Sequence, residues 1–241
     1  MNATVAQLTA RSLLGGRRVI LLTTLPGVLV LLAIIARGLA GQDNDVAVGV
    51  LSGFALATLV PLLGLIAGTG AIGPEIDDGS IIYLLSKPLS RFSIATTKVV
   101  VAVAVISVFA AVPTLLAGLI LTGASNLAVA FALGALVAGA AYGALFVLLA
   151  VMTRHAVVIG LLYALIWETL VGSYVPGARA LSIRQWALAV TEKALGRRAG
   201  DLNVESAVSL GVGIAFLLIV IVGCTWFAGS RLRSLRLTSD E

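Results

Sequence analysis

Few residues in this chain carry groups capable of chemistry, and most of them stand apart from one another. There is one histidine, His155, and one cysteine, Cys224, so the sequence offers neither an internal disulfide nor a cysteine-built metal site. The most unusual charge is Glu168, which follows Trp167 inside an apolar run. Because an ionised carboxylate is costly in lipid, Glu168 must face protein, water or a partner, or be protonated. The sequence therefore predicts either a translocation path or gate, or an anchor at the outer membrane interface.

The densest polar stretch covers residues 73–91 and lies between two long apolar segments. Its charged and conformationally special residues are Glu75, Asp77, Asp78, Gly79, Lys87, Pro88 and Arg91, with Tyr83 in the short apolar run between them. Carboxylates favour the first turn of a helix, and the residue before a proline avoids helical angles. A short helix over residues 78–86 is therefore predicted, with Ser90 as the N-cap of the next helix.

Enzyme signatures are absent from the sequence, which contains neither a P-loop nor a His-Glu-x-x-His motif. We therefore expect no catalytic residues and no metal ligands in this chain. Residues 68–73 spell Gly-x-Gly-x-x-Gly, but no strand precedes them, so small-residue helix packing is the interpretation. His155 is interpreted as an interfacial residue and Cys224 as a packing residue.

The composition assigns the chain to a broad class. Of its 241 residues 60% are hydrophobic and only 11% are charged, and the mean hydropathy is +1.12. A soluble domain cannot bury that much apolar surface, so we expect an all-α integral membrane protein. The net charge of +5 lacks the interleaved aromatic residues of a base-stacking surface, and no nucleic acid is expected as a partner.

The apolar pattern predicts a single permease domain over residues 1–241 with six transmembrane helices. The predicted spans are 19–36, 46–72, 98–122, 127–152, 156–174 and 206–230. An amphipathic helix over residues 2–17 is expected at the membrane surface, with Val5, Leu8, Ser12 and Leu13 at helical spacing. A second amphipathic helix, carrying Ile183 and Trp186, is expected in an extracellular segment between spans five and six.

Orientation follows from the basic residues that flank the spans. With the N-terminus inside, ten of the sixteen Lys and Arg residues lie on the inner side, and the short loops are cleanly inside-positive. Both termini and the 75–98 loop are therefore predicted to lie in the cytoplasm, at the plasma membrane.

The 73–91 stretch resembles the cytoplasmic coupling segment of type 2 ABC transporter permeases, in which a Glu-x-x-x-Gly pattern, a short apolar helix and a Leu-Ser-x-Pro-x-Ser-Arg tail recur. The matching residues are Glu75, Gly79, Leu85, Ser86, Lys87, Pro88, Ser90 and Arg91. In that family the segment is a coupling helix that sits in a groove of the ATP-binding subunit. The family also often carries an aromatic–acid pair, as Trp167 and Glu168 are here, in its fifth span.

The resemblance implies the permease subunit of an ABC exporter that works by alternating access. The spans are dominated by Ala, Val, Leu and Gly, which favours the export of an apolar or amphipathic drug, antibiotic, peptide or lipid. The resemblance also implies two copies of an ATP-binding subunit, which would hold ATP and Mg, a homodimer or a heterodimer with a second permease, and contact with membrane lipid. Two alternatives remain open from the residues: an ATP-independent secondary carrier or channel, and a membrane anchor for a signalling ATPase.

Overall fold

The computed structural model describes residues 3–80, 90–123, 125–171 and 176–234, and these residues form helices and turns without any strand. The α-helices of this part of the chain are α1 Ala3–Leu14, α2 Arg17–Ala40, α3 Asn44–Gly49, α4 Val60–Asp77, α5 Arg91–Ile106, α6 Val112–Thr122, α7 Ser125–Met152, α8 Ala156–Leu162, α9 Pro176–Arg179, α10 Ile183–Leu195, α11 Arg198–Asp201 and α12 Leu210–Ser234. Three π-helical segments extend them: π1 Val50–Leu59, π2 Ser107–Ala111 and π3 Tyr163–Val171.

Five helical stretches of the described residues are long and apolar enough to cross a membrane: Arg18–Ala40, Asn44–Asp77, Arg91–Thr122, Ser125–Met152 and Leu210–Arg233. They correspond to the first four predicted spans and the sixth, and they are consistent with a multi-pass membrane protein. The fifth predicted span, 156–174, is represented by α8 and π3, which have 7 and 9 residues. Residues 172–174 of that predicted span lie outside the described residues.

Two of the π segments lie directly before prolines. π1 ends at Leu59 and Pro61 follows, and π2 ends at Ala111 and Pro113 follows. Proline donates no backbone hydrogen bond, and its ring collides with the carbonyl four residues earlier, so the preceding turn widens. The second and third long helices are therefore continuous through their prolines rather than broken by them.

The central helix is α7, which packs against α4, α5, α6, α10 and α12. Glycines allow its neighbours to approach closely. A Cβ atom at Gly68 of α4 would lie 2.7 Å from Phe146 Cβ, and one at Gly118 of α6 would lie 2.6 Å from Ala128 Cα. Such small-residue contacts provide helix packing where lipid offers no hydrophobic driving force between helices. Gly68 thus has the packing role predicted for the 68–73 motif.

The outer faces of α2, α8 and α12 carry the exposed apolar side chains. Leu31 is 55% exposed, Val157 57% and Ile219 63%. Contiguous apolar surface of this kind is unfavourable in water and suits contact with lipid tails. The bundle therefore has a lipid-compatible surface around a core centred on α7.

The N-terminal helix α1 packs beneath this core against α4 and α5. Its buried residues are Val5, Thr9 and Leu13. Leu8, which the helical spacing places on the apolar face together with Val5, is 55% exposed and available for contact with lipid. Thr9 can be buried because its hydroxyl donates to the Val5 carbonyl at 2.9 Å.

Candidate functional site

Glu75 lies in the last turn of α4, near a helix C-terminus, whereas the sequence predicted a helix N-terminus here. The carboxylates at 75–78 were expected to start a helix, but α4 continues through Asp77 and ends there. A carboxylate near a helix C-terminus is unfavourable because the carbonyl ends carry partial negative charge. Lys98 of α5 compensates it, since its Nζ donates to Glu75 Oε1 at 2.7 Å and to the Ala71 carbonyl at 2.6 Å.

The Glu75–Lys98 ion pair is largely removed from water. The Lys98 side chain is fully buried, whereas that of Glu75 is 29% exposed. Buried pairs of this kind are costly to break by removing one partner, because the other charge is left uncompensated. Glu75 therefore joins the end of α4 to α5 within this chain.

Gly79 closes the turn after α4 with a positive φ of 69°. Its N–H donates to the Ile76 carbonyl at 3.2 Å, as expected for a glycine that terminates a helix. A Cβ atom at this position would meet nothing within 4 Å, so within this chain glycine is required by backbone conformation rather than by close packing. Asp77 and Asp78 beside it are exposed.

The chain is described again from Ser90. The Ser90 hydroxyl accepts a hydrogen bond from Ser93 N at 3.2 Å, which confirms the predicted N-cap of the following helix. Arg91 Nη1 donates to the carbonyls of Leu232 and Arg233 at 2.6 and 2.8 Å. The predicted coupling residues Tyr83, Lys87 and Pro88, together with Leu85 and Ser86, lie outside the described residues.

Glu168 is fully buried, and it caps the start of α10. Its carboxylate accepts from Ser182 Oγ at 2.5 Å, from Ile183 N at 3.0 Å and from Arg184 N at 3.4 Å. Tyr163 Oη donates to the same carboxylate at 3.1 Å. The free amides at a helix start need acceptors and attract negative charge, so Glu168 supplies both.

This cluster lies deep along the central helix. Tyr142, near the middle of α7, is fully buried and close enough to Glu168 and Arg184 to interact with both electrostatically. Its hydroxyl has no hydrogen-bond partner among the described residues. Glu168 is thus shielded from water, unlike the headgroup-exposed position that the interfacial interpretation required. Trp167 beside it is half-buried.

Helix α10 runs from this cluster toward the start of α7. Near its middle, Thr191 lies against Gly134 of α7. At its far end, Leu195 lines a cavity with Thr122 and Leu127, which flank the α6–α7 turn. The segment predicted as an extracellular helix therefore returns beside the first half of α7 and meets the short α8–π3 helix at Glu168. Its buried residues include Ile183 and Trp186, which the sequence predicts for this helix, and also Ala187.

The sequence indicated Glu168 but not its partners. Tyr142, Tyr163 and Ser182 are common residues in unremarkable contexts, and only the fold brings them together. Lys98 gave a weak signal, because it is a lone charge at the start of a long uncharged run. Neither a protein-family model nor a curated protein matches the chain.

Proposed function

We propose that this chain is the permease subunit of an ATP-driven ABC exporter that moves apolar or amphipathic molecules across the membrane. Two permease subunits would enclose the path, and two ATP-binding subunits would dock at the end of the bundle that carries the 78–90 segment. The observation that best supports this proposal is that side-chain hydrogen bonds join both flanks of that segment to long helices.

The leading flank is tied to α5 by the Glu75–Lys98 pair. The trailing flank is tied to α12, because Arg91 donates to two carbonyls in the last turn of that helix. A force applied to residues 78–90 would therefore reach three long helices directly, those that contain α4, α5 and α12. That is the mechanical requirement for a segment that transmits ATP-driven closure.

The apolar, membrane-compatible helices support a transport role, and their apolar side chains favour an apolar or amphipathic cargo. Glu168 would act at the junction of α8–π3 and α10. Because its carboxylate already occupies the α10 N-terminus, that helix end would not bind an anionic substrate unless Glu168 moved. In this proposal the junction is a gate rather than a binding site.

The proposal is tested by co-purification of the ATP-binding subunit and by ATP hydrolysis in reconstituted vesicles. We expect Lys87→Glu to weaken subunit capture and to uncouple hydrolysis from transport, because it reverses a charge in the proposed docking segment. Lys193→Glu makes the same charge change at an exposed position on α10 and should leave both unchanged. Transport that proceeds in vesicles without any ATPase would favour the secondary carrier instead.

A further inference from the structure

A cavity of about 430 Å³ opens at the end of the bundle where α2 and α8 begin and α4 and α7 finish. Its volume falls within the range of roughly 300–1,000 Å³ that small-molecule sites occupy. The charged residues that line it are Arg18, Asp77, Asp78 and Arg154. Apolar residues, among them Leu21 and Val157, line the rest.

Arg18 is held in this cavity by the backbone of α4. Pro74 has no N–H, so the carbonyl of Gly70, four residues earlier, loses its helical donor. Arg18 Nη1 donates to that carbonyl at 3.3 Å. A guanidinium has five N–H donors, so this bond positions the group while leaving it able to bind a ligand.

The four charges line one cavity without neutralising one another. Among the described residues, neither arginine forms an ion pair with Asp77 or Asp78. Two cations would bind an anionic group such as a phosphate, and two carboxylates would bind an ammonium group. The lining thus matches a ligand that carries both charges.

The apolar lining continues onto the outer surface of the bundle. Leu21 of α2 is 51% exposed and Val157 of α8 is 57% exposed, and both belong to helices with lipid-compatible faces. A ligand whose charged group enters the cavity would therefore lay an apolar tail along these two helices. An amphiphile from the bilayer carries both a charged group and an apolar tail. A soluble zwitterion has no tail that could contact these helices.

We propose that this cavity binds the headgroup of a zwitterionic phospholipid from the leaflet on the N-terminal side of the bundle. Arg18 and Arg154 would bind the phosphate, Asp77 and Asp78 the ammonium group, and Leu21 and Val157 an acyl chain. The proposal does not rest on the transport function, because it concerns binding at the cavity alone.

The test is native mass spectrometry of the full chain, purified and delipidated in detergent, with dioleoylphosphatidylethanolamine as the probe. Gly73 lines the cavity, and a Cβ atom there would meet nothing within 4 Å, so Gly73→Leu fills the space without a clash at its base. We expect this variant to lower retention of the lipid about tenfold, the factor that corresponds to one lost charge-assisted hydrogen bond. Gly223→Leu on α12 is the matched control, because its Cβ also enters open space away from the cavity.

Three further probes separate the sources of binding. Dioleoylglycerol, which lacks the charged headgroup, and soluble phosphoethanolamine, which lacks the tails, should each bind at least about tenfold more weakly than the phospholipid. The wild-type chain should bind dioleoylphosphatidylglycerol, which lacks the ammonium group, more weakly than dioleoylphosphatidylethanolamine. The Asp77→Asn, Asp78→Asn double variant should bind the two lipids with similar affinity. Arg154→Gln, at an exposed position, should weaken both phospholipids.

Two results would overturn the proposal. One is equal retention of phosphatidylethanolamine and dioleoylglycerol by the wild-type chain. The other is wild-type lipid retention by both Gly73→Leu and Arg154→Gln. A Gly73→Leu chain that fails to fold is recognised by size-exclusion chromatography, and Arg154→Gln then decides the outcome alone.

Discussion

Glu168 and Lys98 are both fully buried charged residues, and the structure compensates them in different ways. Lys98 meets an opposite charge, Glu75, and the Ala71 carbonyl of α4. Glu168 accepts hydrogen bonds from two hydroxyls and from the amides that begin α10. The bundle thus stabilises the charge of Lys98 by an ion pair and that of Glu168 by hydrogen bonds from a helix N-terminus.

The residue scale gives a first prediction at the Glu168 cap. Glu168→Gln keeps the shape but removes the charge that faces the α10 amides, so we expect a stability loss of about 1–3 kcal/mol. Thermal unfolding in detergent, followed by size-exclusion chromatography, measures it. Glu205→Gln makes the same chemical change at an exposed position and should have little effect. If both variants unfold at the same temperature, Glu168 does not stabilise the start of α10.

A second prediction concerns the Glu75–Lys98 pair. Lys98→Met should destabilise the chain by about 3 kcal/mol, because it leaves Glu75 without its cation at a helix C-terminus. The Lys98→Met, Glu75→Gln double variant should recover part of that loss. A double-mutant cycle of unfolding midpoints measures the coupling. Strictly additive effects of the two substitutions would contradict a direct pair.

At the scale of elements, α7 depends on small residues on the helices around it. We predict that Gly68→Leu destabilises the bundle by about 1–3 kcal/mol, because the new side chain would collide with Phe146 and the Gly143 carbonyl. Gly53→Leu, on the same continuous helical stretch, enters open space and is the matched control. Folded yield and the unfolding midpoint of the two variants report the difference. Equal behaviour would mean that α4 can move away from α7 without cost.

The sequence predicts the long helices but not the return of α10 beside α7. Long uncharged runs mark the five full-length helices, and Gly123 with Thr122 marks the turn before α7, where Gly123 has a φ of 68°. The apolar run after Ala156 predicts a further span to residue 174, of which the structure describes residues 156–171. Hydropathy records composition along the chain, and the return of α10 beside α7 depends on contacts such as Trp186 with Phe216, whose rings stack at 5.2 Å.

The candidate site was predictable only in part for the same reason. Ser90 has a local capping role, and its partner Ser93 is three residues away, so sequence alone identified it. Glu75 was assigned to a helix start from its neighbours, whereas its actual partner, Lys98, lies 23 residues further along. Partners of this kind are set by which helices pack together.

At the scale of the whole molecule, basic residues close the ends of neighbouring helices. Arg37 Nη1 donates to the Leu121 carbonyl at the end of α6 at 2.8 Å. Arg91 does so for the carbonyls of Leu232 and Arg233 in the last described turn of α12. Cations are favourable at helix C-termini, where carbonyls lack intrahelical donors. The charges that indicate topology in the sequence therefore also hold the bundle together.

The predicted orientation has its own test at this scale. In a Cys224→Ala background, single cysteines at Ser80 and Lys193 occupy exposed positions at opposite ends of the bundle. An impermeant thiol reagent applied to intact cells should label Lys193→Cys and leave Ser80→Cys unlabelled. Ser182 is unsuitable as the outer position because it is buried against Glu168. If the reagent labelled only Ser80→Cys, the predicted orientation would be wrong.

The return of α10 beside α7 also constrains the order in which the protein is assembled. During synthesis α10 emerges after α7 and before α12, and it packs against both helices. Packing of α10 against both helices can therefore be completed only after α12 has been synthesised. A chain truncated before α12 would keep Glu168 and the α10 amides that it caps, but it would lack Phe216, on which Trp186 stacks.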